Sequence, residues 1–295
     1  MLIDRFKALL REPPPGMAFE ISQSGIAAAR IGARAEIEFY PLKEGALDIS
    51  PVKENVVDEE AFAGAVRALT SQAARKAKDI ALILPDYSTR LAVLDFDSFP
   101  SDPKEQASLV RFRLKRSVPF DVESAALSYF AQSTGRKKIE VVVAMAPLEI
   151  VARYEAPFRA AGMNPGLVTT SSLAALELAP EAGLSVMAKL AGSVLTVPVR
   201  DRGHLRLVRC LEVPSNTLDD IAAILLPTFV YIEDNLGGRP EKLLLCGFGD
   251  DTGDAVSRFR EELGVDVEPL RSPLGMPQPH HAGLLGYLRS VARNN

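Results

Sequence analysis

Arg111, Arg113, Lys115 and Arg116 place four cations within six residues, interleaved with apolar Val110, Phe112 and Leu114. Such a stretch can be a docking surface for a partner, or the solvated side of an ordinary amphipathic helix, which is what periodicity alone favours. Residues that usually carry catalysis are sparse. His204, His280 and His281 lack metal-ligand spacing, and the adjacent His280-His281 pair sits in a Pro-rich stretch. Cys210 and Cys246 each lie in an apolar, strand-like run with no second cysteine nearby. That spacing supports neither a zinc site nor a disulfide framework and fits buried free thiols in a reducing cytosol. There is no Gly-x-Ser-x-Gly elbow, no P-loop and no dinucleotide fingerprint.

The local pattern predicts how the cationic stretch is held. Asp102 is placed to cap a helix, Pro103 suits its first position, and Glu105 completes a capping-box spacing. Ala107, Val110 and Leu114 then line one apolar face. Pro119 ends the helix, because a proline drives its predecessor out of the helical region. Ala125, Leu127 and Tyr129 alternate as a half-buried strand does. Phe99 to Tyr129 therefore reads as one unit of helix, turn and strand.

With 295 residues, 47% hydrophobic and 24% charged, the chain has the composition of a globular protein long enough for two domains. A net charge of −4, spread along the chain, gives no basic footprint for nucleic acid. Leu2, Ile3, Phe6, Leu9 and Leu10 recur at helical spacing, but Asp4, Arg5 and Lys7 interrupt them, so the start is read as a docked or frayed helix and not a signal peptide. Pro13-Pro14-Pro15-Gly16 separates that helix from the body, and no later apolar run reaches the ~20 residues of a membrane span.

From Ala18 onward the pattern predicts three strands, a helix through Phe62, Val66 and Leu69, and a buried strand at Ile80 to Leu84. Leu184 to Cys246 repeats that order: three strands, a long helix with Pro227 as an expected kink, then a strand. Two such halves with a unit interrupting the first are the organisation of the α/β actin-like ATPase fold. The expected divisions are an N-terminal helix and linker at residues 1–16, a first half at 17–180, an insertion at 100–170, and a second half at 181–295 whose last helix returns to the first.

Val118-Pro119-Phe120, with its charged helix before and Glu123 and Tyr129 after, resembles the PilM family of type IV pilus assembly proteins. That family carries Ile-Pro-Phe and a strand ending in Asp-Tyr, where this chain has Val118 and Ser128. Leu84-Pro85, Phe99-Pro100, the Gly162 loop before Ser171-Ser172, and Leu243 to Gly247 follow in the family's order. The resemblance implies an FtsA-like inserted subdomain and a cytoplasmic scaffold that binds the N-terminal tail of a PilN-like inner-membrane protein and contacts pilus motor components. It makes Arg111, Phe112, Lys115, Val118, Pro119 and Phe120 the partner-binding candidates, and homo-oligomers are compatible with it.

The same resemblance implies a nucleotide site between two glycine-bearing hairpins and a late Gly-Gly turn, with acids positioning magnesium. The family's Asp-x-Gly-Ser-Ser corresponds here to Glu20-Ile21-Ser22-Gln23-Ser24-Gly25, without the following lysine. Its Asp-Ile-Gly corresponds to Met187-Ala188-Lys189, with Gly192 displaced, and Gly-Gly to Gly247-Phe248 ahead of Gly249. The expectation is a degenerate site without ATP or magnesium and without catalysis, in which Phe248 fills space the base needs. Glu20, Asp250 and Asp251 are expected to be exposed turn carboxylates. The alternatives are an ATP-binding switch of the same fold and a soluble GspL-like component of type II secretion.

Overall fold

The computed structural model describes residues 14–30, 36–71, 78–132 and 138–293. The expected N-terminal helix and Gly135-Arg136-Lys137 of the basic loop lie outside them. β1 (Met17–Ser22) and β2 (Gly25–Arg30) form an antiparallel hairpin, extended by β3 (Ile37–Pro41). A two-strand ladder of β4 (Leu47–Asp48) and β5 (Asn55–Val56) leads into α1 (Glu59–Thr70), capped by Asp58 at 2.9 Å from the Ala61 N–H. β6 (Asp79–Leu84) then runs parallel to β1.

The insertion follows: β7 (Arg90–Phe96), α2 (Pro103–Leu114), β8 (Ala125–Gln132) and β9 (Ile139–Pro147), in a sheet ordered β7-β9-β8. α3 (Leu148–Ala160) and β10 (Asn164–Thr170) return to the parent half, where β10 pairs with β6 and completes the order β10-β6-β1-β2-β3. The expected limits of 100–170 are therefore shifted, and the inserted sheet and its helix run from β7 to β9. Tyr154 and Phe158 of α3 are fully buried beside Phe62 and Phe19, at ring separations of 6.1 and 4.8 Å, so this helix belongs to the first core.

α4 (Ser171–Ala175) crosses to the second half, which repeats the first. β11 (Leu184–Ala191), β12 (Val194–Asp201) and β13 (His204–Glu212) are followed by α5 (Leu218–Leu236), β14 (Lys242–Cys246), α6 (Thr252–Leu263) and β15 (Asp266–Pro269). Their order, β13-β12-β11-β14-β15, matches the first sheet strand for strand. Pro227 lies inside α5, which runs on as one helix to Gly237, left-handed at φ 71°.

α7 (Ala282–Ala292) closes the molecule against the first half. It packs with Ala174 of α4 on a sheet face made small by Ala18, Ala27, Ala29 and Ala81, while Leu285 and Ala282 reach Met187 and Leu244 of the second sheet. The two sheets thus share one thin helical layer, with α1 and α3 outside one and α5 and α6 outside the other. Short side chains make this approach possible: a Cβ on Gly286 would lie 1.9 Å from the Ala174 carbonyl oxygen, and one on Gly283 2.9 Å from Ser171 Cα. Buried Arg200 fastens the crossover, donating to Leu176 O at 3.0 Å, Ala179 O at 2.6 Å, and Pro180 O.

Gly286→Val is expected to lower unfolding free energy by about 3 kcal/mol or more, because the backbone of α4 must move. Gly253→Ala, on the open side of α6, is expected to raise it by ~0.5–1 kcal/mol. Urea denaturation of both variants measures the contrast.

Candidate functional site

Two places collect the residues singled out from sequence. The first is a cleft of about 540 Å³ between the halves, walled by the β1–β2 turn on one side and the β11–β12 turn on the other. Each turn is a hairpin tip because the strands around it alternate in register to their ends, Ser22 opposite Gly25 and Ala191 opposite Val194. The tips meet: a Cβ on Gly192 would lie 2.5 Å from Gln23 Oε1. Ser22 Oγ donates to Gly25 O at 3.0 Å and lies 3.1 Å from Ser24 Oγ, so the first turn's hydroxyls are engaged within the turn.

The cleft floor is ionic. Lys189, on β11, is 2% exposed and sets Nζ 3.3 Å from Oδ2 of Asp86, which follows β6 of the other half. Asp86 Oδ1 accepts the Ser172 N–H at 2.7 Å. Glu20 is fully buried on β1. Its Oε1 accepts the Ser171 hydroxyl, and its Oε2 accepts the Leu284 N–H at 2.7 Å, at the first turn of α7. The expectation of an exposed turn carboxylate is thus overturned at Glu20, because β1 is the central strand of its sheet and α7 covers that face. Asp250 and Asp251 are exposed as expected.

Burial raises the Glu20 carboxyl above its ordinary value, against the opposing pull of Lys189 and its two hydrogen bonds. Burial also opposes the charge on Lys189, but Asp86 and Glu20 outweigh it and hold the ammonium above its ordinary value. The thiol of Cys246, the residue paired with Lys189 on β14, is pushed up to about 12 by burial. A lysine this deeply buried persists as a cation only because carboxylates face it.

The glycine-bearing late turn does not contribute to the described cleft walls. Gly247, at φ 89°, lets the chain pass under β11, where a Cβ would lie 1.9 Å from Leu190 O. Phe248, expected to fill space a base would need, turns inward. Its ring lies in the second core, 6.1 Å from Phe259 in an edge-on contact, with Gly249 exposed beyond it. Glu44, Asp48 and Glu212 add further carboxylates to the cleft walls. In this cleft the hairpin tips are in contact, Glu20 and Asp86 are bonded to protein groups, and the cation beside them is a side chain. Among the described residues no group of three His, Cys, Asp or Glu is placed to hold a metal ion.

The second place is α2 and the turn after it. Asp102 caps the helix at 2.9 and 3.0 Å from the Lys104 and Glu105 N–H groups. Val110 and Leu114 are buried under it, and Val118 and Phe120 are half-buried against the same cluster. Phe112 is 75% exposed, with Lys115, Arg116 and Pro119 also exposed. Arg111 differs from its neighbours: it donates to Ala125 O at 3.1 Å and to Val122 O, strapping the helix to the turn it precedes. Arg113 lies over the Phe96 ring at 5.3 Å. The sequence marked the cations, but which of them are straps depended on where β7 and β8 pass.

No family model and no curated protein sequence matches the chain. Solved structures do. The chain is similar to one in a structure described as the "PilM-PilN type IV pilus biogenesis complex", at 18% identity and TM-score 0.74, covering 95% of this chain and 99% of that one. It is similar to a Bacteroides thetaiotaomicron protein of actin-like ATPase fold and unknown function, at 12% identity and TM-score 0.56, covering 91% and 94%. The cytoplasmic domain of EpsL, an inner-membrane component of the Vibrio cholerae type II secretion system, matches at 14% identity and TM-score 0.52, covering 95% and 94%. The fold is that of the actin-like ATPases.

Glu20→Gln is expected to flatten part of the pH dependence of stability. Because the folded state raises this carboxyl, its contribution is most favourable below the ordinary value of 4.5 and is lost as pH rises through the raised one. Glutamine can accept from Leu284 N–H and donate to Ser171, so the variant should gain on the native protein as pH rises above 4.5. Urea midpoints across that range measure the difference.

Proposed function

We propose that this chain is a PilM-like scaffold of a type IV pilus or related secretion machinery. It binds the cytoplasmic N-terminal tail of a PilN-like inner-membrane protein, and its cleft works without nucleotide or catalysis. The observation that carries the reading is an exposed aromatic, Phe112, followed by exposed Lys115 and Arg116 at the end of a helix strapped in place by Arg111. A large apolar side chain left in water beside cations is what a peptide of mixed apolar and acidic character would cover. Likeness across nearly the whole length to a chain of a PilM–PilN complex supports the choice of partner.

Membrane association would then come through the partner, since no helix among the described residues is long and apolar enough to cross a membrane. Motor components would be reached from other faces, and self-association is compatible with the reading. A second reading, a GspL-like component of type II secretion, is favoured by the likeness to the EpsL domain. The ATP-switch alternative draws on the cleft volume alone.

Calorimetric titration with the tail peptide of a PilN-like protein tests the reading. Saturable binding is expected with and without Mg·ATP, and Phe112→Ala is expected to weaken it by about tenfold or more while leaving the melting temperature unchanged. Binding of a GspL partner's peptide in preference would select the second reading. Saturable heat with Mg·ATP alone would select the switch.

A further inference from the structure

The scaffold reading leaves buried Lys189 of the cleft without a task. Asp86 and Glu20 belong to the first half and Lys189 to the second, so the ion pair spans the two halves. Glu20 accepts from Ser171 Oγ–H and Leu284 N–H and Asp86 Oδ1 from Ser172 N–H, while Asp86 Oδ2 faces Lys189 Nζ. Charge is the larger need: two buried acids at the floor of the cleft require a positive partner there. We propose that Lys189 is a tethered counter-cation. It does for these carboxylates what a bound divalent cation would do, and so holds the two halves at one fixed angle whatever the cleft contains.

This inference rests on the reading of the cleft as independent of nucleotide. A bound ion or nucleotide can leave, and an angle that depends on it becomes a population that ligand shifts. A lysine built into β11 cannot leave. Two more contacts between the halves act in the same sense. Gln132, on the inserted sheet, pairs with Leu205 of β13 through both side-chain amide groups, at 2.8 and 2.9 Å. Glu140 of the insertion pairs with Arg206 of β13, both carrying side chains under 10% exposed.

The test uses the full chain, native and Lys189→Ala. The native protein should show no change in melting temperature or small-angle scattering profile with Mn2+, EDTA or Mg·ATP. Lys189→Ala should melt lower, with a broadened scattering profile. Mn2+ should restore both, and electron paramagnetic resonance should find Mn2+ bound about tenfold or more tighter than to the native chain. Asp86→Asn/Lys189→Met, which removes both members of the pair, should fold and show no response to Mn2+.

A native profile that contracts with Mg·ATP overturns the proposal. So does a folded Lys189→Ala chain with native scattering and no Mn2+ response. A Lys189→Ala chain that stays unfolded in Mn2+ while the double variant folds overturns it too, because a free cation then cannot replace the lysine. Tail-peptide binding to the native chain, measured in parallel, reports on the scaffold reading separately.

Discussion

A buried ammonium must be faced by negative charge, and in this protein the charge comes from the other half of the molecule. Lys189 is enclosed on β11, and the groups that neutralise it stand on β1 and just after β6. Separating the halves would part the lysine from both carboxylates and break a buried ion pair. The cost of breaking such a pair is typically ~3–5 kcal/mol, comparable to a large share of a domain's total stability. The interaction adds little over a well-packed apolar substitute, but it defines one arrangement of the halves by penalising the others.

That arrangement is possible only because the material between the sheets is thin. α4 and α7 approach until glycine is the only residue that fits at positions 283 and 286, over a sheet face of alanines. Larger residues there would move α7 outward and take the Leu284 N–H away from Glu20. The apolar layer and the ionic floor are therefore parts of one constraint: close helix packing brings the donor to the carboxylate, and the satisfied carboxylate can then stay buried beside Lys189.

The duplicated order of strands and helices was legible because it rests on local patterns: alternation in the hairpins, the caps at Asp58 and Asp102, and the glycine stops at Gly237 and Gly264. The limits of the insertion were not. β7 reads like any half-buried strand, and only its pairing with β9 assigns it to the inserted sheet. α3 likewise shows its allegiance through Tyr154 and Phe158, whose partners lie about 90 to 140 residues earlier. The hairpins themselves read locally, but the burial of Glu20 and the ion pair of Lys189 depend on segments more than 100 residues apart. Nothing local distinguishes such a lysine from a solvated one.

The two places that matter are mechanically joined. The exposed Phe112 rides on a helix whose Arg111 holds the following turn, and that turn leads into β8, where Gln132 grips the edge strand β13 as a neighbouring strand's peptide would. Glu140 on β9 adds a buried charge pair to the same edge. A partner seated on α2 is thus fastened to an insertion that is fastened to the second half, while Lys189 ties that half to the first. Each link uses groups that would be left unsatisfied on separation, so force or position imposed by a partner is passed to the whole body. On the proposed scaffold reading, such joints between the insertion and the two halves would keep a bound tail in a fixed place, and they would do so through side chains of the chain itself.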